Sequence, residues 1–283
     1  GSARADAIED FYKGKTVSLI VSSSTGGGYD TLARLLTRFI SRHLPGQPNI
    51  VIRNMPGAGG IVATNHLYTL AAKDGTVIGA VQNNTPFEPL FGTKEAQYDP
   101  TKFNWLGSPS VETSILTVWH TSSANNLDDA RKIELKMGSS GANSPPSFYG
   151  RLLNETLGTK LKLIVGYPGQ NDALLAMERG ELDGYPSVFY NSLVSTRPNW
   201  LPEKKVKLIV QYGADKLPQL PDVPFVLDLV KNEEDRQLWR AAVGPIATGR
   251  PYLLPPGVPE ERVLAMRKAF WNAFNDKEFL AEQ

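Results

Sequence analysis

Cysteine is absent from the chain, which excludes a disulfide framework, a cysteine nucleophile and a zinc–thiolate site. The lack fits an oxidising compartment, where stray thiols are a liability, but many cytosolic proteins share it. Histidine is scarce: His43, His66 and His120 lie far apart and share no metal-ligand spacing. Neither sign of charge predominates, since 30 basic residues stand against 29 acidic ones for a net charge of +1. That balance gives no support to a nucleic-acid footprint or a membrane-attracted surface. No apolar run approaches the ~20 residues that a membrane span needs. Catalytic signatures are missing too. No Gly-Lys-Ser/Thr closes a phosphate loop, no G-x-G-x-x-G marks a dinucleotide site, and Gly138-Ser139-Ser140-Gly141 lacks the nucleophile-elbow spacing. Asp128-Asp129 and Glu233-Glu234-Asp235 sit in polar helical stretches and read as solvated faces or helix starts. No metal, cofactor or catalytic residue is expected.

What the chain does have is apolar material for a substantial core, 41% of 283 residues, enough for one large or two medium domains. It also has two glycine-rich loops near its start. The first is Ser22-Ser23-Ser24-Thr25-Gly26-Gly27-Gly28-Tyr29-Asp30, and the second is Asn54-Met55-Pro56-Gly57-Ala58-Gly59-Gly60. Each follows a short β-like run and leads into a helical pattern. A strand, a glycine turn and a helix N-terminus put unpaired backbone N–H groups at one spot, which attracts anions without a cationic side chain. The hydroxyls of Ser22, Ser23, Ser24 and Thr25 suit a carboxylate as well as a phosphate. Asp30 reads as a helix-start residue that favours the helix dipole. The glycines of the second loop have a bland alternative, close approach of helix to strand.

Strands are expected at residues 16–21, 49–53 and 77–81, after a short polar lead. Between them lie a helix with Leu32, Leu35, Leu36, Phe39, Ile40 and Leu44 at helical spacing and a second helix over 60–72. This alternation is the pattern of a parallel sheet covered by helices. The pattern restarts with strands at 115–119 and 134–137. A third small-residue loop follows, containing Ser139, Gly141, Ala142, Asn143 and Ser144, whose plain alternative role is capping of the next helix by Asn143 or Ser144. Further strands are expected at 161–165, 185–189 and 207–211. Residues 107–113 read as a first crossing between two α/β units and the strand-like 241–247 as the return, with a C-terminal helix over 260–274. The expected division is 1–110 plus 241–283 for the first domain and 111–240 for the second.

The candidate ligand-binding residues lie in the small-residue loops that follow the strands and along the expected strand 185–189. From the first unit they are Ser24, Thr25, Gly26, Gly27, Gly28, Tyr29 and Asn83. From the second they are Ser139, Gly141, Ala142, Asn143, Ser144, Tyr167, Gly169, Tyr185 and Ser187. Gly27 is the position where a bulky side chain is expected to block ligand approach or to meet a positive φ. The aromatics Tyr29, Tyr167, Tyr185, Phe189 and Tyr190 fall near loop ends and are placed to wall a pocket.

The chain resembles the periplasmic receptors of tripartite tricarboxylate transporters, the Bug receptors. The resemblance covers nearly the whole chain. It is carried by residues 54–60 followed by Asp74-Gly75, by Gly26-Gly27 with Asp30 and Ala33-Arg34, by Tyr167 with Gly169, by Gly180 with Asp183, and by Pro221-Asp222-Val223-Pro224. It implies a type II periplasmic-binding-protein fold, two α/β domains joined by two crossing segments that close on a ligand. It implies a monomeric receptor in the periplasm that delivers a small carboxylate to membrane transporter subunits. Gly1-Ser2 reads as a cloning remnant, so a leader peptide is expected to have been removed. The family's usual ligands are di- and tricarboxylates, acidic amino acids and some aromatic acids. There are departures: Ser22 to Thr25 stand where the family often has a proline and an aromatic residue. Lys73, Gly166 and Phe225 replace a usual proline, proline and threonine, and the segment around Tyr185-Pro186-Ser187 is atypical. The competing readings are an enzyme acting on a small anionic metabolite and a sensor that docks a membrane signalling protein.

Overall fold

A computed structural model describes residues 2–282. Ten strands run in chain order: β1 (Thr16–Val21), β2 (Asn49–Asn54), β3 (Val77–Ala80), β4 (Asn104–Gly107), β5 (Thr113–Trp119), β6 (Leu135–Ser139), β7 (Leu161–Val165), β8 (Gly184–Phe189), β9 (Val206–Gly213) and β10 (Tyr252–Leu254). They form two five-stranded sheets, ordered β2-β1-β3-β10-β4 and β7-β6-β8-β5-β9. In the first, β1 pairs in parallel with β2 and β3, while β10 is antiparallel to β3 and β4. In the second, β6 is parallel to β7 and β8, while β5 is antiparallel to β8 and β9. Each sheet thus takes, in fourth place, a strand that lies next to a crossing.

The helices are α1 (Ser2–Tyr12), α2 (Gly28–His43), α3 (Ile61–Thr69), α4 (Leu127–Lys132), α5 (Pro145–Leu157), α6 (Gln170–Glu178), α7 (Tyr190–Thr196), α8 (Val226–Leu229), α9 (Glu233–Ala242), α10 (Gly244–Ala247), α11 (Glu260–Phe274) and α12 (Lys277–Glu282). In α2 the buried Leu32, Leu36, Phe39 and Ile40 form one stripe, as helical periodicity requires of a helix lying on a sheet. Asp30 in its first turn and Arg42 and His43 in its last complement the helix dipole. The stripe joins one core with Val17, Leu19 and Val21 of β1 and with Met266, Ala269 and Phe270 of α11. A second core gathers Leu116 and Val118 of β5, Leu152 and Leu153 of α5, and Trp239 of α9. Strand β5 is buried along its whole length, as befits a strand flanked on both edges and covered on both faces.

Four elements differ from the sequence expectation. The polar lead is the helix α1, whose Ile8 and Tyr12 enter the first core. Residues 241–247 are helical, not a strand. Pro245 sits in the first turn of α10, and Trp239, Ala242, Val243 and Ile246 follow helical spacing into the second core; that burial overrides β-like composition. The returning strand is β10, reached through Thr248, Gly249, Arg250 and Pro251. Strand β4 was not expected, since Asn-Trp-Leu-Gly is too short to show a period. The helix expected over 60–72 runs only over Ile61–Thr69: Gly57, Gly59 and Gly60, with φ of 141°, 67° and 100°, keep the chain out of an α-helix until Ile61, and Leu70 caps its other end.

Candidate functional site

The parallel strands of each sheet end on one side, and their loops face each other across a cleft. The first unit contributes Ser22, Ser23, Gly27, Gly28 and Tyr29 from the β1–α2 turn. It adds Gly57, Gly59 and Gly60 after β2, and Gln82 and Asn83 after β3. The second unit contributes Ser140, Pro145 and Pro146 from the β6–α5 turn, Pro168, Gly169 and Gln170 from the β7–α6 turn, and Tyr185, Ser187 and Phe189 from β8. The slot is narrow, about 50 Å³, because the lips touch. Ser24 Oγ donates to Asp172 Oδ2 at 2.5 Å, and Asn171 Nδ2 donates to the Thr25 carbonyl at 3.4 Å. Gly59 packs against Ser144, where a Cβ would come within 2.9 Å of the serine Cβ.

Four buried side-chain atoms on the cleft wall have no protein partner: Ser22 Oγ, Ser23 Oγ, Asn83 Nδ2 and Gln170 Nε2. All four can donate a hydrogen bond. A buried polar atom without a partner costs about 1–3 kcal/mol, so a cluster of them in one slot calls for an acceptor-rich occupant. The N-terminus of α2 adds to the set. Its N-cap is Gly27, which offers no side-chain cap, and the amides of a helix's first turn have no intrahelical acceptor.

Asp30 organises these loops. Its carboxylate is buried and accepts from the Gly26 amide (2.9 Å), from Arg34 Nε (2.9 Å) and Nη2 (3.0 Å), and from Asn54 Nδ2 (2.9 Å). Asn54 Nδ2 also reaches the Ser23 carbonyl at 3.0 Å. One carboxylate therefore ties the first glycine loop to the second. Burial pushes its pKa up, but Arg34, the Gly26 amide and Asn54 together outweigh burial and hold it below the usual value. Tyr29 braces the floor: the Asn83 amide donates to its hydroxyl at 3.1 Å, and the hydroxyl lies 3.4 Å from the Gly249 carbonyl. Burial raises the Tyr29 hydroxyl well above its ordinary pKa, so it stays protonated.

Of the sequence-expected residues, Gly27, Gly28, Tyr29, Asn83, Gly169, Tyr185 and Ser187 line the slot. Ser24, Thr25 and Gly26 lie at the lip against Asn171 and Asp172. Ser139 is fully buried, and its hydroxyl meets those of Ser144 (2.8 Å) and Ser147 (2.6 Å). Ser144 Oγ also donates to the Gly141 carbonyl at 2.8 Å. Ser144 stands at the N-cap of α5 but makes no cap hydrogen bond: Pro146 has no N–H to offer, and the Ser144 hydroxyl is taken up by Ser139 and Gly141. Ala142 accepts from Arg151 Nη1 at 2.7 Å. Asn143 faces a separate cavity of about 520 Å³ together with Glu88, Phe91, Phe148 and Arg151. Tyr167 packs beside the core of Leu174 and Tyr185 and is not on the slot wall. Gly27 has φ −83° and room for a methyl group, so the tight position is its neighbour Gly28, whose Cβ would collide with Ser192 Oγ.

Gln82 was missed: it directly follows the strand expected at 77–81, so the strand-end rule extended by one residue would have found it. Neither arginine nor lysine lines the slot. Arg250 lies beneath it, with its guanidinium 5.7 Å from the ring centres of both Tyr29 and Phe189.

A sequence profile described as the tripartite tricarboxylate transporter family receptor matches residues 32–282. A protein encoded in the tcbD-tcbE intergenic region of Pseudomonas sp. (strain P51) is 25% identical over 233 residues, 80% of this chain and 66% of that one. The chain thus spans about two thirds of that relative's length. The periplasmic binding protein BugD superposes with a TM-score of 0.77 at 21% identity, covering 96% of this chain and 86% of that one. MatC from Rhodopseudomonas palustris, solved with bound malate, superposes with a TM-score of 0.72 at 23% identity, covering 95% and 87%. The fold is that of the two-domain periplasmic binding proteins.

Proposed function

The chain belongs to the tripartite tricarboxylate transporter receptor family, and from that premise we propose that it is a periplasmic receptor that traps a small carboxylate between two closing units and presents it to a membrane transporter. The observation that carries the ligand class is the cluster of unpartnered donors Ser22 Oγ, Ser23 Oγ, Asn83 Nδ2 and Gln170 Nε2 in one slot. Ionised carboxylate oxygens only accept, and hydrogen bonds to a charged acceptor are the strong ones. The donors come from both units, three from the first and Gln170 from the second, so an occupant bonded to all four favours closure by its differential affinity. The buried Tyr185 and Phe189, with the half-buried Tyr29, exclude water around it, which strengthens each bond.

The closing bodies in this reading are the two sheets with their helices. The first comprises the chain up to β4 and the segment from β10 onward, and the second the chain from β5 to α10. They hinge at 108–112 and 248–251. Binding through buried dipoles is expected to depend only modestly on ionic strength. The test is thermal unfolding and calorimetry against a panel of di- and tricarboxylates, acidic amino acids and aromatic acids, with malate included. At a hundredfold excess over Kd a true ligand adds about 2.7 kcal/mol of stability. The panel member must be recovered unaltered. Turnover of the bound acid, or no stabilisation by any carboxylate, would reject the reading.

A further inference from the structure

The cation beneath the slot belongs to a construction that ligand binding alone does not explain. Arg250 sits on the return crossing and Glu112 on the outgoing one. Their side chains are 5% and 0% exposed, and Arg250 Nη2 lies 2.9 Å from Glu112 Oε1. The contact is close but not aligned as a hydrogen bond, so it is Coulombic. The remaining bonds of Arg250 fan out to both units. Nη1 donates to the Gly28 carbonyl in the first turn of α2 at 3.0 Å, and Nη2 donates to Ser192 Oγ on α7 at 2.7 Å. Its own amide donates to Ser108 Oγ on the outgoing crossing at 2.8 Å. Asn191 of α7 donates to Glu112 Oε2 at 3.3 Å. One side chain thus touches the first unit, the second unit and the opposite crossing. Gly28 lets α2 and α7 meet there, since any side chain would strike Ser192.

We infer that Arg250 and Glu112 form a clasp at the hinge that positions the Gly28 turn and holds the two units in the closed arrangement. The inference rests on the cleft being one that opens and closes, and it adds how closure is set. A buried ion pair is a poor source of net stability, because desolvation offsets attraction; what recommends this one as a clasp is its geometry, one guanidinium reaching both units and the opposite crossing. Burial pushes the Glu112 carboxyl upward, and Arg250 opposes that push only in part. The guanidinium makes contacts to Gly28 and Ser192 that exist together only while α2 and α7 are adjacent. Opening the cleft separates them, so the clasp biases the closed state without touching the ligand.

The test needs no ligand. The chain lacks cysteine, so Val62→Cys on α3 and Leu175→Cys on α6, both exposed sites, take a pair of spin labels for distance measurement by electron resonance. The ligand-free parent is expected to show a short-distance population. Glu112→Gln and Arg250→Gln are expected to shift it to longer distances, with Arg250→Lys between, since it keeps the charge but loses the fork. Melting curves on the same samples identify any variant that is not folded. If Arg250→Gln does not fold, the isosteric Glu112→Gln decides alone. A parent already fully open, or variants whose distances match the parent while only melting falls, would overturn the clasp. Failure of every carboxylate to bind would leave this measurement standing, which keeps the two readings separable.

Discussion

The β1–α2 turn and the β6–α5 turn occupy corresponding places in two sheets of the same strand order. Both are runs of glycine and serine. In the first, Ser22 and Ser23 keep their hydroxyls unpartnered on the slot wall. In the second, Ser139, Ser144 and Ser147 satisfy one another and the Gly141 carbonyl. One turn offers donors outward and the other spends them on its own shape. Small polar residues before a helix therefore mark a strand-end loop, but only the environment decides whether that loop binds or braces.

The largest expected effect breaks the contact at which the two units meet. Gly28→Val places a branched side chain into Ser192 and Arg250. Overpacking of about 1–3 kcal/mol is expected to fall on the closed state, weakening binding of the best carboxylate by about a hundredfold. Calorimetry with circular dichroism checks it; affinity equal to the parent would mean that closure does not need this approach. Next, the asymmetry between the turns can be tested directly. Asn83→Ala and Ser23→Ala are expected to weaken binding about tenfold or more, from the loss of a bond to a charged group, with little change in melting. Ser139→Ala is expected to do the reverse, costing about 1–3 kcal/mol of stability and leaving affinity nearly intact. Denaturant unfolding beside titration separates the cases, and matching profiles in both turns would erase the distinction drawn between them.

A smaller effect concerns pH. The Asp30 pKa is lowered in the fold, so its contribution is present above the unfolded value of about 3.9 and is lost as pH falls through the folded value. Asp30→Asn should lower stability at neutral pH and flatten the acid limb of the stability curve. An unchanged acid limb would show that the tie between the two glycine loops is not maintained by charge. The smallest expected effect is that of Gly27→Ala. With φ −83° and no atom closer than 3.9 Å to the added methyl, melting and affinity should barely move. A large loss would mean that the ligand passes closer to Gly27 than the wall geometry implies.

Much of the architecture was legible in the chain. Helical stripes such as Leu32, Leu36, Phe39 and Ile40 and runs such as residues 17–21 carry their periodicity locally, and α11 spans the 260–274 expected for it. Residues 241–247 were misread because Ala-Val-Gly-Pro-Ile carries little local signal, and the second core, not propensity, makes them helical. In the candidate site, Tyr29, Asn83 and Gly169 follow from the rule that loops at strand C-terminal ends face the cleft, while Tyr185 and Ser187 reach it from within β8. The inward turn of Ser139 and the clasp of Arg250 with Glu112 had no local signature. They join residues 5 and 138 positions apart in ways set by packing.

By itself the sequence determined that there would be two α/β units with small-residue loops at their strand ends, because period and turn chemistry act over a few neighbouring residues. Tertiary structure decided which of the serines are left with free donors, which glycine tolerates no side chain and where the buried arginine goes. Those outcomes depend on what lies opposite each group, and hydrogen-bond satisfaction and close contact are properties of pairs brought together by the fold.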